Sequence, residues 1–453
     1  MGVLALLVQA PSVEGPHAEV VAPLGLGAVA AAARERGHRV GILDLNLEAL
    51  PYAALEEALG REAPRVVGVG LRNIDPLANR RHSYLPRFAA VLATVRRVLP
   101  AALVAAGGAG FSMFPRLLME RYPAIDAGVV LEGEETFAEI LDRVDRGAGP
   151  GDLAGIPGTL VRGPDGRVRA GPPRPRLPGE ALDRPRPWLP DLVRGYRGAS
   201  SYAPPAGVET KRGCPLGCVY CVYPALQGRT LRFRSPGTIA AEVELLSRDA
   251  GVAWVHFTDP VLNLPPEHFR EVCRALIARR LPVRWTGFFR EDALTPADAR
   301  LAVEAGCAAF QFSGDGTCDR TLARLRKGLT LEHILGAARA VAGTQALAVY
   351  HFMANVPGTD GRAVREALDL VERLHDIHGP RGNLGTMVFN NIRIYPGTPL
   401  EAELRAAGVL RGPETLLYPA YHDPEPHRDM RYLLEERHEL RACRWRPGKD
   451  GSR

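Results

Sequence analysis

The chain has 453 residues, which is too many for one small domain and enough for two or three. Hydrophobic residues make up 46% and charged residues 24%, an ordinary globular balance that excludes a disordered, collagen-like or coiled-coil chain. The net charge of +6 does not indicate nucleic-acid binding, because the basic residues are almost all scattered arginines, interleaved with Asp and Glu. We therefore predict no nucleic-acid partner.

Neither a membrane span nor a secretion signal is predicted. No apolar stretch reaches the ~20 residues that a span needs, and the N-terminus lacks the basic residues that open a signal peptide. The chain has 7 cysteines, an odd number, and three of them stand together. This is a cytosolic pattern with one special cluster rather than a disulfide framework. We expect a cytoplasmic protein with no membrane partner, and a monomer.

Strands and helices alternate through residues 1–145, which favours an α/β domain with a doubly wound parallel sheet. Ligands of such domains bind at the carboxyl ends of the strands. Residues 146–205 follow as a linker rich in Pro, Gly and Arg, with one small hairpin near 163–166. The predicted strands are 3–8, 39–44, 65–70, 102–106 and 127–131, and the predicted helices are 26–35, 55–59 and 84–99.

A second alternating series occupies residues 206–400. It contains six strand–helix units, too few for a closed barrel of eight, so we predict a partial (β/α)6 barrel. Residues 401–453 form a C-terminal extension, part helix and part loop. The predicted strands are 207–210, 254–258, 283–287, 308–312, 348–353 and 386–394, with helices that include 236–249, 266–279, 296–305 and 362–375.

The sharpest chemical signal is a C-x3-C-x2-C spacing formed by Cys214, Cys218 and Cys221, directly after a predicted strand. Three thiolates on one loop can hold a soft metal centre. Zinc sites usually close with a fourth Cys or His, and no histidine lies within 25 residues on either side. Three ligands and one open position suit a [4Fe-4S] cluster. Structural zinc and plain packing of the cysteines are the alternatives.

This loop and the motifs after it resemble the radical SAM superfamily. In that family the iron without a cysteine ligand chelates S-adenosylmethionine, and the resemblance implies that Tyr220 lines the adenine. Asp259, in 258–260, resembles the segment near the methionine amino group. Ser313 resembles the fourth-strand segment, although Phe312 stands where the family often has Glu, which puts that contact in doubt. Segments 325–328 and 394–399 also look like family segments.

Residues 1–145 resemble the cobalamin-binding domain that precedes this core in cobalamin-dependent radical SAM enzymes. The segments that carry the resemblance are 23–26, 36–40, 43–44, 107–109 and 132–134. Small residues at strand ends would let a corrin lie across the sheet edge. The Asp-x-His-x-x-Gly motif is absent, and His17 and His38 lack its context, so cobalt should have no histidine lower ligand. A nucleotide-type or ligand-free domain is the alternative.

The loop after the third strand reads Arg72-Asn73-Ile74-Asp75. It resembles the cobalamin-dependent tryptophan C-methylases, in which an arginine occupies the lower face of cobalt without ligating it. The resemblance implies that Arg72 disfavours a lower ligand and favours nucleophilic Co(I). A surface arginine in a polar loop is the alternative.

The resemblance identifies the chain with cobalamin-dependent methyltransferases that use a [4Fe-4S] cluster, S-adenosylmethionine and cobalamin. They deliver a methyl group to a carbon or phosphorus centre, here of a small-molecule or amino-acid-like substrate, with indolic compounds among the candidates. An electron donor such as flavodoxin or ferredoxin is implied. The catalytic residues are then Arg72 and Tyr220, and the metal ligands are the three loop cysteines. The residues implied in cofactor binding are Gln9, Pro11, Leu24, Arg72, Asn73, Gly107, Gly108, Gly110, Glu132, Gly133, Tyr220, Asp259 and Ser313.

Three alternatives stay open at this point. Methyl transfer is either polar, as Arg72 suggests, or driven by a 5′-deoxyadenosyl radical. A cyclase or ring-rearranging enzyme with the same cofactors is the competing activity, and a non-catalytic cobalamin- or zinc-binding module is the competing class. Among single residues, Trp285, Phe288 and Phe289 line a pocket or pack in the core, His351 faces the barrel interior or the core, and Arg290 is a candidate for holding a carboxylate.

Overall fold

The computed structural model describes residues 2–12, 20–76, 82–196, 204–411 and 416–442. Two α/β units follow one another along the chain. His17 and Cys443 lie outside the described residues. Among the helices of the described residues, none is both long and apolar enough to cross a membrane.

The N-terminal unit is a seven-stranded sheet with the order β2-β1-β3-β4-β5-β6-β7. The first five strands are parallel, and β6 and β7 extend the sheet as an antiparallel hairpin. The strands are β1 (Leu4–Gln9), β2 (Arg39–Asp44), β3 (Val66–Gly70), β4 (Leu103–Gly107), β5 (Ala127–Val129), β6 (Thr159–Arg162) and β7 (Val168–Ala170). The helices are α1 (Leu24–Glu35), α2 (Pro51–Glu62), α3 (Leu85–Val98), α4 (Ala109–Met113), α5 (Pro115–Arg121) and α6 (Glu134–Asp145).

Hydrophobic pattern explains this sheet. Strand β3 is buried along its whole length, as expected for a parallel strand with helices on both faces. The five predicted parallel strands are confirmed to within two residues at each end. The predicted hairpin is also present, and it pairs with β5 instead of standing apart from the domain.

The rest of segment 146–205 packs more closely than a linker would. Leu189, Val193 and Tyr196 belong to the same apolar core as the second unit. The short helices of this segment are a 3-10 turn (Pro150–Leu153), α7 (Gly179–Leu182), α8 (Leu189–Val193) and a second 3-10 turn (Arg194–Tyr196).

The C-terminal unit is a curled half-barrel in which six parallel strands have the order β15-β14-β13-β12-β11-β8, with β16 antiparallel at the edge. The predicted six-stranded partial barrel is confirmed. The strands are β8 (Ala206–Val208), β9 (Lys211–Arg212), β10 (Arg232–Phe233), β11 (Trp254–Phe257), β12 (Arg284–Phe289), β13 (Cys307–Asp315), β14 (Leu347–Ala354), β15 (Leu384–Arg393) and β16 (Tyr421–His422). The helices are α9 (Tyr223–Gln227), α10 (Pro236–Ala250), α11 (Pro266–Arg279), a 3-10 turn (Glu291–Ala293), α12 (Pro296–Glu304), α13 (Asp319–Arg324), α14 (Leu331–Ala342), α15 (Gly361–His378), α16 (Pro399–Ala406) and α17 (Met430–Ala442).

Alternation along the barrel strands separates an outer core from a concave interior. Trp285 and Phe289 pack in the outer core with Phe312, so for these two the packing alternative holds. Phe288 points the other way and contacts His351 across the interior. Aromatic side chains therefore line the concave interior in addition to those that pack in the outer core.

The two units are packed against each other. Helix α4 of the first unit contacts α9 of the second, and Val219 and Leu325 join the apolar core of the first unit. A buried ion pair adds to this contact: Arg393 Nη2 lies 2.8 Å from Asp75 Oδ2. Asp75 is the last residue of the Arg-Asn-x-Asp loop, so the second unit holds that loop in place.

Candidate active site between the two domains

The cysteine loop starts from a small hairpin made by β9 and β10. Gly213 precedes Cys214 with a φ of 101°, and a Cβ atom there would lie 2.2 Å from the carbonyl oxygen of Thr230. Only glycine fits such a position. The amide of Cys214 then donates to the carbonyl oxygen of Gly228 at 3.0 Å, which closes the loop over the hairpin.

The three thiols form a suitable donor set. Cys214 is buried, and Cys218 and Cys221 are partly buried. Burial raises the pKa of the Cys214 thiol and raises that of Cys221 to about 12, so metal binding would have to release these protons. Within the described residues, no three His, Cys, Asp or Glu side chains are placed to hold one metal ion. A [4Fe-4S] cluster does not require this, because each thiolate binds a different iron.

Asp259 anchors the cysteine loop from the next strand. Its Oδ1 accepts hydrogen bonds from the amides of Thr210 at 2.9 Å and Lys211 at 3.1 Å. Its Oδ2 accepts from Lys211 Nζ at 3.3 Å. Both side chains are at least 98% buried. Because both carboxylate oxygens have protein partners, the predicted contact of Asp259 with the methionine amino group would have to share them.

Tyr220 is fixed by a buried ion pair. Its hydroxyl donates to the Asp315 carboxylate, to which Lys327 Nζ also donates. Burial and then the Asp315 charge raise the pKa of Tyr220 well above its ordinary value. Burial alone would lower the pKa of Lys327, but the charges of several nearby acidic groups, Asp315 first among them, together outweigh burial and raise that pKa. The hydroxyl is thus engaged, and the ring face is what Tyr220 offers to a cofactor.

Sequence reasoning missed Glu291. Glu291 is 3% exposed, and among the described residues no other residue donates a hydrogen bond to either carboxylate oxygen. Burial raises its pKa to about 7. Oε1 lies 3.2 Å from where a Cβ atom on Gly314 would be, so the carboxylate is at the end of β13. Its neighbour Arg290 was a candidate for holding a substrate carboxylate, but Arg290 Nε pairs with Asp292 at 2.7 Å.

On the other side of the site, two glycines hold the loop that carries Arg72. A Cβ atom on Gly108 would lie 2.6 Å from the Leu71 carbonyl oxygen, and one on Gly110 would lie 2.9 Å from the same oxygen. The Gly110 amide donates to the carbonyl oxygens of Leu71 at 3.0 Å and Arg72 at 2.9 Å. Gly108 and Gly110 are therefore small because the loop packs on them, an explanation different from the room for a corrin that the sequence suggests.

Arg72 is exposed, two residues after the end of β3. Its positive charge acts on Tyr196, Tyr223 and His256. Tyr196 follows α8, Tyr223 opens the helix after the cysteine loop and His256 lies on β11. Arg72 is thus close enough to these three side chains of the later segments for its charge to act on them, and its contact with cobalamin stays a prediction.

The other predicted cofactor contacts are distributed around this space. Ser313 is partly exposed at the end of β13, and Leu24 lies beside Gly207 of β8. Glu132 is engaged elsewhere: its carboxylate pairs with Arg232 at 2.7 Å and with Arg212 at 3.4 Å, which joins the two units. The remaining predicted residues line the strand ends of the first sheet: Gln9, Pro11, Asn73, Gly107 and Gly133.

His38 is not available to a metal. Its Nδ1 accepts a hydrogen bond from the Val3 amide at 3.2 Å, and its Nε2 lies 3.0 Å from Asp142 Oδ1. It connects β1 to α6 within the first unit. A role for His38 as a cobalt ligand would require these contacts to break.

Two family models match the chain. A B12 binding domain matches residues 17–141, and the radical SAM superfamily matches residues 208–371.

Among curated relatives, an uncharacterised methyltransferase of Pyrococcus horikoshii is 27% identical over 405 residues, or 88% of this chain and 83% of the relative. The tryptophan 2-C-methyltransferase of Streptomyces laurentii is 28% identical over 353 residues, or 66% of this chain. The chain spans 58% of the length of that relative.

One solved protein, the radical S-adenosylmethionine methyltransferase TsrM from Kitasatospora setae, aligns with a TM-score of 0.75 at 25% identity. The alignment covers 91% of this chain and 76% of that chain, whose structure contains cobalamin and a [4Fe-4S] cluster. A second structure of TsrM contains tryptophan and an S-adenosylmethionine analogue.

Proposed function

The chain belongs to the cobalamin-dependent radical SAM methyltransferases, and on this basis we propose that it transfers a methyl group from S-adenosylmethionine, through cobalamin, to a carbon or phosphorus centre of a small molecule. One relative is named as a tryptophan 2-C-methyltransferase, that is, an enzyme that methylates a carbon atom. We therefore propose a carbon atom as the methyl acceptor.

The observation that carries this proposal is the way the two units meet. The loop with Arg72 packs on α4, where the Gly110 amide donates to the Arg72 carbonyl oxygen at 2.9 Å, and α4 contacts α9, the helix that follows the cysteine loop. A methyl carrier held at the first sheet and a methyl donor held at the cysteine loop would be neighbours there. Alignment of two cofactors across an interface is the task of the protein in such enzymes.

The residues fit the cofactors. Cys214, Cys218 and Cys221 would hold three irons of the cluster, and the fourth iron would be free for S-adenosylmethionine. The cofactors, when bound, supply the methyl group, its carrier and the electron. The protein positions the groups around the cofactors. Asp315 fixes the Tyr220 ring, and Asp259 fixes the loop that carries the cysteines.

Arg72 would lie against the cobalamin. A guanidinium keeps its charge at any working pH and has no acceptor atom, so it cannot ligate cobalt. It would therefore keep water from the lower face and favour an electron-rich metal. This supports the polar over the radical version of methyl transfer.

The substrate and the partners belong to the same proposal. We infer a small-molecule or amino-acid-like substrate, with indolic compounds as the first candidates because TsrM has been solved with tryptophan. The cluster needs an electron donor, for which a flavodoxin or a ferredoxin is suitable. Cluster and cobalamin chemistry require reducing conditions, which supports a cytoplasmic location. That the protein is a monomer stays part of the proposal.

The test is a methyl-transfer assay on anaerobically reconstituted protein. S-adenosylmethionine with a labelled methyl group, a reductant and tryptophan or indole are supplied, and the label is followed. Label in the product together with S-adenosylhomocysteine supports the proposal. Conversion of the acceptor without label would support the cyclase or rearrangement alternative instead.

A further inference from the structure

The interior of the half-barrel has an aromatic wall. The Phe288 ring lies edge-on to the His256 ring at a centroid distance of 5.8 Å and tilted against the His351 ring at 5.4 Å. All three side chains are only partly buried, in contrast to the aromatic residues of the outer core. The wall therefore offers ring faces and edges to a bound molecule.

Gln311 lies on the strand next to Phe288, and its side-chain carbonyl oxygen accepts no hydrogen bond from the described residues. Strand register places Gln311 beside Phe288, and its side chain is 95% buried. The Thr286 hydroxyl gives its single proton to the Ala309 carbonyl oxygen at 2.8 Å. Thr286 Oγ1 can therefore only accept from Gln311 Nε2, which lies 3.2 Å away. This fixes the orientation of the amide, and within the part of the chain that the structure describes its Oε1 has no hydrogen-bond partner.

The aromatic wall is uncharged at neutral pH. Burial lowers the pKa of His256 and of His351 to about 4. For His256, the positive charge of Arg72 acts in the same direction and the Asp259 charge opposes it. For His351, the Asp315 charge opposes the effect of burial. A cationic group would therefore meet the field of Arg72, while Asp259 and Asp315, the two carboxylates that act on the wall histidines, are already paired with Lys211 and Lys327.

Buried acceptors without partners are rare in proteins and point to a missing donor. We propose that the barrel interior binds the planar, uncharged ring of the substrate, with a ring N–H that donates to Gln311 Oε1 and with Phe288, His256 and His351 around the ring. Gln311 is then the residue that determines specificity for ring N–H compounds. This inference rests on the proposed function, because it uses the same site for the methyl acceptor.

The experiment compares two ligands of the same shape, indole and benzofuran, which has a ring oxygen in place of the N–H. Their dissociation constants are measured by calorimetry on the reconstituted holoenzyme. Wild type should bind indole about tenfold or more tightly than benzofuran, since benzofuran leaves a buried acceptor unpaired. Gln311→Leu should bind both with similar affinity. Gln345→Leu, the same change at an exposed glutamine, should behave as wild type.

A second variant separates a general loss of binding from a specific loss of discrimination between the two ligands. Phe288→Leu should weaken the binding of both ligands but keep their ratio, because it removes the ring contact and leaves Gln311 in place. Equal binding of the two ligands by wild type, absence of indole binding, or unchanged discrimination in Gln311→Leu would each overturn the inference.

Failure of the proposed function would look different. Each protein is also tested for methylation of its bound cobalamin by S-adenosylmethionine in the absence of an acceptor. Wild type that fails this step contradicts the proposed function. Wild type that passes it, but does not distinguish indole from benzofuran, contradicts only the role of Gln311. The binding ratio is read without turnover, so it decides the inference in either case.

Discussion

A Cβ atom on Gly108 would lie 2.6 Å from the carbonyl oxygen of Leu71, closer than real Cβ atoms approach an oxygen. Gly108 also has a φ of 103°, which side chains rarely allow. Gly108 therefore supports the loop that presents Arg72 to the second unit. The sequence places Gly108 at the cofactor, and the structure shows that Gly108 also packs directly against the Arg72 loop.

Gly108→Ala should consequently shift the Arg72 loop and weaken cobalamin binding, with a stability loss of about 1–3 kcal/mol from backbone strain. Cobalamin content after reconstitution and thermal unfolding measure the two effects. Gly60→Ala is the control, because a Cβ atom on this helical glycine meets nothing within 4 Å. It should keep full cobalamin content and gain up to about 1 kcal/mol. Equal cobalamin content in both variants would refute the supporting role.

The cysteine loop predicts a clear loss of metal. Cys218→Ala should lose most iron and all methyl transfer, while the B12-binding domain still folds and takes up cobalamin. Iron and sulfide analysis and the broad absorption near ~400 nm are the measurements. Cys273→Ala changes a buried cysteine of α11 outside the loop and should keep its iron. Full absorption and turnover in Cys218→Ala would exclude the cluster assignment.

Cobalamin should bind without a histidine under the cobalt. The first unit lacks the Asp-x-His-x-x-Gly motif, and His38 is engaged with Val3 and Asp142. Electron paramagnetic resonance of the Co(II) form should therefore show no nitrogen superhyperfine splitting from a lower ligand. Such splitting, if it disappears in a histidine variant, would show that a protein histidine reaches the metal.

Glu291 predicts a pH-dependent stability. Its pKa rises from 4.5 in the unfolded chain to about 7 in the folded protein, so the folded state binds more protons between these values and stability falls as pH rises through them. Cofactor-free Glu291→Gln should be more stable than wild type by about 1–3 kcal/mol at pH 8 and by much less at pH 5. Denaturant unfolding at both pH values checks this. A variant that is less stable at pH 8 would mean that the carboxylate has a stabilising partner.

Sequence pattern was sufficient for the parallel strands of both units, but not for short or cofactor-side helices such as α4 and α9. Strand β3 is a continuous apolar run, and Phe288 and Phe289 alternate between the inside and the outside of β12. Both patterns are set by residues that are adjacent in the sequence. The cysteine loop was also readable, because three ligands lie within eight residues. Local signals of this kind need no knowledge of the rest of the fold.

Pairings across the fold could not be read in the same way. Glu132 was expected at a cofactor, yet its carboxylate meets Arg232, which is 100 residues away. Asp259 was expected at S-adenosylmethionine and is engaged by Lys211. Gln311 and Glu291 were not singled out, since an unpartnered buried oxygen is a property of the packed structure. For Glu132 and Asp259 the partner comes from a distant part of the chain.

The central claim is that Arg72 acts on the cobalt of a bound cobalamin. Arg72→Lys keeps the charge on a flexible, strongly hydrated stem, so it should retain cobalamin but lose much of the methyl transfer. Arg72→Ala should admit water to the lower face of cobalt. Arg61→Ala is the control, since this arginine lies on α2 at 62% side-chain exposure, and its ion pairs among the described residues are with glutamates of its own helix.

The most direct test pairs Co(II) electron paramagnetic resonance with single-turnover methylation in wild type, Arg72→Lys, Arg72→Ala and Arg61→Ala. The account predicts an unligated lower face and fast transfer in wild type and in Arg61→Ala, an added water signal in Arg72→Ala, and transfer slowed by about tenfold or more in both Arg72 variants. The same cobalt coordination and the same rate in all four proteins would contradict it and make Arg72 an ordinary loop arginine.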